Sequence, residues 1–99
     1  MLTREELAAT VDVVEWRFLR AHLERGGLIV VARGLDLLEA GERVANDDAA
    51  AVAGWIAAGW LAKPSAEQIA EWDATEGDTF RMLIVRPYIL IQEEGQIVH

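Results

Sequence analysis

Phe80-Arg81-Met82-Leu83-Ile84-Val85-Arg86-Pro87-Tyr88-Ile89-Leu90-Ile91-Gln92 decides the architecture of this chain. Phe80 to Val85 and Tyr88 to Gln92 are rich in strand formers, and Arg86-Pro87 between them cannot continue a ladder, because proline has no backbone N–H to donate. The pattern predicts a C-terminal β-hairpin. Met82 to Val85 and Tyr88 to Ile91 are apolar at consecutive positions instead of alternating, so both faces of the hairpin must be covered. Helices can cover one face, but a chain of 99 residues has few left for the other. A second copy of the chain is a natural cover, so a homodimer is expected, with Trp60, Met82, Ile84, Tyr88 and Leu90 as candidate interface residues.

Working back from the hairpin, Leu28-Ile29-Val30-Val31-Ala32 is a β-branched apolar run bounded by glycines and turn residues, as expected of a central strand. Trp60-Leu61-Ala62-Lys63, between Gly59 and Pro64, reads as a short extended piece. The remaining segments are helical. Thr3 with Glu6, Asp36 with Glu39 and Ser65 with Gln68 each have the form of a capping box, in which hydroxyl or carboxylate and the later acid or amide satisfy open N–H groups at a helix start. Leu7, Val11, Val14 and Phe18 fall at helical spacing, although the β-branched Val11-Asp12-Val13-Val14 cluster is a weak helix former and divides the region into two helices. The second points Trp16, Leu19 and Leu23 inward and stops at Gly26-Gly27. Asp36 opens a helix through Ala45, with Gly41 as a tolerated weak point. Asn46-Asp47-Asp48 ends it and caps another, which turns Val52, Trp55 and Ile56 toward the core. Ser65 opens the last helix, with Ile69 and Trp72 on one face. The fold class is therefore α+β: a small mixed sheet with the C-terminal hairpin, packed against four to five helices. Residues 1–93 form a single domain and 94–99 a flexible tail.

Composition narrows the function classes. A formal net charge of −8 repels polyanions, so nucleic acid and anionic membranes are disfavoured partners. No cysteine is present, which removes disulfides, thiolate metal sites and cysteine nucleophiles, and a reducing cytoplasm is the simplest location. Acidic Glu5 and Glu6 stand where an export signal needs basic residues. The longest uncharged stretch, Ala49 to Ala62, is too short to span a membrane and reads as a buried helix.

The order of these motifs resembles a bacterial family known as domain of unknown function 2288. The resemblance rests on Trp16 with Leu19, Leu28 to Val31, Leu35-Asp36-Leu37-Leu38-Glu39-Ala40, Ala45-Asn46-Asp47, Trp55-Ile56-Ala57-Ala58-Gly59, Lys63-Pro64-Ser65, Trp72 and Leu83 to Glu93. Tyr88 stands where the family carries tryptophan, and Val13-Val14 where it often has a proline. The resemblance implies a compact cytoplasmic domain, and it carries over no catalytic or binding residue, since the family has no established reaction.

The residues themselves supply no catalytic constellation, metal site or cofactor motif. Ser65, His22 and His99 stand outside any nucleophile or general-base pattern. Asp36, Glu39, Asp47, Asp48, Glu93 and Glu94 are the acids a divalent cation would need, but caps, a turn and a strand end account for them. Gly26-Gly27 and Gly34 lack a phosphate-loop fingerprint. Trp16, Trp55 and Trp72 sit at core spacing, while Trp60 follows a helix-ending glycine at a pocket or interface edge. The expected function is a non-catalytic protein-interaction or regulatory domain with an unidentified protein partner. Two alternatives stand beside it. Leu37 to Ile69 has the outline of a helix-turn-helix regulator, although Asp48 to Ala58 contains none of the side chains that read bases or phosphates. A small-molecule binder or enzyme would use a pocket near Trp60 and the Asp36 or Asp47 loops.

Overall fold

The computed structural model of the chain describes residues 3–75 and 77–94. Thr79–Val85 and Tyr88–Glu93 pair antiparallel as the predicted hairpin, with Met82 opposite Ile91 and Leu83 opposite Leu90. In chain order the elements are α1 (Arg4–Ala8), β1 (Asp12–Glu15), α2 (Trp16–Leu23), β2 (Leu28–Val31), α3 (Leu37–Ala45), α4 (Ala49–Ala58), β3 (Leu61–Ala62), α5 (Ala66–Ala74), β4 (Thr79–Val85) and β5 (Tyr88–Glu93). The strands form one mixed sheet in the order β1-β4-β5-β2-β3. β2 runs parallel to β5, and the other pairs are antiparallel. The fold is α+β, as expected.

Strand alternation sorts the hairpin's apolar run onto two cores. Leu83, Val85 and Leu90 join Leu7 of α1 and Leu37 and Ala40 of α3 on one face. Phe80 and Ile91 join Trp16 and Leu19 of α2 and Trp72 of α5 on the other, with Met82 and Ile89 packed alongside. The second cover that the uninterrupted hydrophobicity demands is thus supplied largely by the chain's own α2 and α5. The buried amide of Gln92 donates to the carbonyls of Ala32 (2.8 Å) and Leu35 (2.7 Å), which ties the loop after β2 to the sheet and leaves no donor stranded.

Two helix starts follow the predicted chemistry in full: Thr3 and Ser65 accept from the amides of Glu6 and Gln68, whose side chains accept in return. Asp36 caps α3 through the Leu38 amide, and Asp48 caps α4 through that of Ala51. Gly59, at φ 84°, ends α4 in the left-handed region that glycine enters without strain.

Two expectations are corrected. Asp12-Val13-Val14-Glu15 is not helical but the edge strand β1, paired along β4 with Val14 opposite Phe80; β-branched residues gain more from a pleated neighbour than from a helix. Phe18 therefore belongs to a different element from Leu7 and Val11, and it is 60% exposed with the Arg17 guanidinium over its ring. The uncharged stretch is not buried: α4 contains no buried residue, and Ile56 is 58% exposed. Only Val52 and Trp55 of that helix pack partly against the core, because the alanines and Gly54 around them carry too little side chain to reach it. Just beyond β5, Glu94 donates its amide to the Thr79 carbonyl and accepts the Thr79 hydroxyl at 2.6 Å. Residues 95–99, including His99, lie outside the described residues.

Candidate functional site

The five candidate interface residues do not form one surface. Leu90 is fully buried beneath the helices, and Met82 is partly buried beside the aromatic core. Ile84 and Tyr88 are exposed near the hairpin turn. Trp60, partly exposed just before β3, lies two strands from β5 and three from β4, roughly 10–14 Å at ordinary strand spacing. Its ring lies over Gly34, where an added Cβ would come within 2.8 Å of it.

The acidic residues are dispersed over structural duties. Asp36 caps α3 and pairs with Arg4 at 2.9 Å. Asp48 caps α4 and pairs with Arg43 at 2.8 Å, and Glu93 faces Arg33 at 3.5 Å. Among the described residues, no three histidines or acids converge as a cation would require. Ser65 is committed to its cap. The α3–α4 pair does form a helix-turn-helix, turning through Asp47 at φ 55°, but α4 presents alanine, glycine and isoleucine to solvent.

Sequence reasoning missed a polar cluster between α2 and α5. Asp73 accepts from the indole N–H of Trp16 at 2.7 Å and from Arg20 through both guanidinium donors, at 2.8 and 3.0 Å. It borders an open cleft of about 310 Å³ whose lining also includes Glu15, Gly77 and Asp78. The partners are 53 and 57 residues from Asp73, so no local spacing announces them. Three of the roughly four acceptor directions of the Asp73 carboxylate are taken up by Trp16 and Arg20, so it clamps α2 to α5.

The hydrogen bonds from Arg20, then that from Trp16, hold the Asp73 carboxyl below its ordinary value. A folded-state value below the unfolded one contributes stability above the unfolded value, near pH 4, which is lost as pH falls through the folded value. Glu6, bonded by the Thr3 amide, and Asp48, bonded by the Ala51 amide and Arg43, act in the same sense. Melting temperature is therefore expected to fall between about pH 5 and pH 3. Asp73→Asn should lower it at pH 7 and flatten part of that acid limb. Thermal melts of both proteins across the interval check this, and parallel curves would remove Asp73 from the account.

The other feature of the surface is α4 itself. Ten consecutive residues, Ala49–Ala58, carry no charge, the Trp55 indole is the one side chain among them that can hydrogen-bond, and the chain continues uncharged through Trp60. Charged residues make up 26% of the sequence, so an exposed helix without any is a local departure that calls for a physical reason. No helix among the described residues is long and apolar enough to cross a membrane.

Residues 2–93 match the model of a family described as "Protein of unknown function (DUF2288)". The solution NMR structure of PA1075 from Pseudomonas aeruginosa is similar at 30% identity and a TM-score of 0.80, over 94% of this chain and 87% of that one. No curated protein matches the chain.

Proposed function

The chain belongs to the DUF2288 family, and from that premise we propose that it is a cytoplasmic, non-catalytic interaction domain that self-associates through α4. One observation carries the reading: α4 is uncharged along its whole length, contains no buried residue, and exposes Ile56, and the chain just beyond it exposes Trp60. Two copies with a formal charge of −8 each repel wherever carboxylates face one another. The α4 face lets them meet without that repulsion. A two-fold axis across it would place two helices antiparallel, with alanines and Gly54 permitting close approach and opposed macrodipoles aligned favourably. At Gly54 there is open space around the position of a Cβ, so none of the described residues occupies this contact.

Sedimentation velocity across a concentration series tests the reading. The unmodified chain is expected to shift toward a dimer as concentration rises. Ala53→Glu, an exposed change that adds charge at the centre of the face, should keep it monomeric with an unchanged circular dichroism spectrum. A chain that remains monomeric throughout, or a variant that dimerises equally well, would overturn the proposal.

A further inference from the structure

The basic residues are distributed unevenly. Of nine, Arg4, Arg17, Arg20, Arg33 and Arg43 each pair with a carboxylate, whereas Arg25, Lys63, Arg81 and Arg86 take part in no ion pair among the described residues. The topology brings three of these four to one end of the sheet. β2 starts there, its parallel neighbour β5 starts there, and the antiparallel β4 and β3 finish there. Arg25 lies just before the start of β2, Arg86 just beyond the end of β4, and Lys63 just beyond the end of β3. In a chain of net charge −8, that end gathers positive charge without internal neutralisation.

Arg25 and Arg86 share a cavity of about 330 Å³ at this end, where the hairpin turn meets the segment after α2. Ile84, Pro87 and Ile89 supply apolar wall, and His22 and Tyr88 add polar edges. Among the described residues, no carboxylate lines it. Ile84 is 49% exposed, although it lies on the same sheet face as the buried Phe80. Favourable interaction with the carbonyl end of α2 accounts for a cation at Arg25, but not for Arg86, which comes from the turn on the other side. Two unneutralised guanidiniums beside apolar wall and a phenol have a definite complement: an oxyanion carried on an apolar body.

We propose that this cavity binds a small organic anion, its carboxylate or phosphate held between Arg25 and Arg86 and its ring or short alkyl body laid on Ile84, Pro87 and Ile89. The site is separate from α4, and the proposal goes beyond self-association. The role assigned to the site is recognition of a metabolite-sized anion.

The test is a two-dimensional amide NMR titration with 2-naphthoate, using 2-naphthamide and inorganic phosphate as comparison probes. With 2-naphthoate, the amides of Gly27, Ile84, Tyr88 and Ile89 are expected to shift together. Arg25→Gln and Arg86→Gln, at exposed positions with no ion-pair partner among the described residues, should each weaken binding about tenfold while preserving the spectrum of the folded chain. The neutral amide, which keeps the ring, and phosphate, which keeps the charge, should both bind several-fold more weakly. Equal affinity for naphthoate and naphthamide would overturn the role of the arginines. Equal affinity for naphthoate and phosphate would overturn that of the apolar wall. Shifts centred on the Asp73 cleft, or none at millimolar naphthoate, would overturn the site itself.

Discussion

Phe80→Ala is expected to lower stability by about 3–5 kcal/mol, a large share of the roughly 5–15 kcal/mol typical of a domain. Phe80 is fully buried, and its ring meets Trp72 edge-on at 4.9 Å and Trp16 tilted at 5.8 Å, while the two indoles lie 4.9 Å apart. These three side chains come from β4, α5 and α2, so their contact holds two helices on one face of the sheet. Removing the ring leaves a cavity with rigid walls: Trp16 is held by Asp73, and Trp72 is enclosed with its indole N–H unpartnered. Neither indole can readily move to fill the space. A melting-temperature loss on the order of 20 °C is expected, read by circular dichroism. The other phenylalanine supplies the contrast. Phe18→Ala removes an exposed ring covered by Arg17 and should cost less than about 1 kcal/mol. Similar losses for both would show that the aromatic core does not carry the load assigned to it.

That contrast also marks where sequence reasoning stops. Helix starts at Thr3, Asp36, Asp48 and Ser65 are legible because each cap joins residues two or three positions apart. The hairpin is legible because its two runs and intervening proline are contiguous. β1 is harder to read, because Asp12 to Glu15 become a strand only when β4, more than sixty residues later, offers them a ladder. Apolar composition does not encode position: the same absence of charge describes the buried Leu83 and Leu90 and the exposed Ile56. The candidate surfaces were hidden for related reasons. α4 stands out only once its exposure is known, Arg25 and Arg86 come to line one cavity only through the parallel pairing of β2 with β5, and Asp73 acquires its role from partners in α2.

Gly41 reverses a local rule in the same way. By helix propensity alone, Gly41→Ala should stabilise α3 by about 1 kcal/mol, since glycine is the most flexible residue in the unfolded chain. Gly41 is buried, however, and a Cβ there would run into a terminal methyl of Leu83 while lying 3.6 Å from Leu7. Leu83 is fully buried in the middle of β4 and cannot swing into solvent. The absent side chain therefore sets how closely α3 sits on the sheet. Gly41→Ala is expected to be net destabilising by about 1–2 kcal/mol, and Gly41→Val by about 3 kcal/mol, as overpacking exceeds the gain in propensity and the branched side chain adds a second collision. Gly54→Ala provides the opposite case, because the space around it is open and its helix is otherwise rich in alanine. It should gain up to about 1 kcal/mol in dilute solution, where self-association contributes nothing. Urea denaturation of the three variants decides the matter: opposite signs for the two glycine-to-alanine changes place the close contact at α3 and β4, whereas stabilisation by both would mean that α3 has room to move away from the sheet.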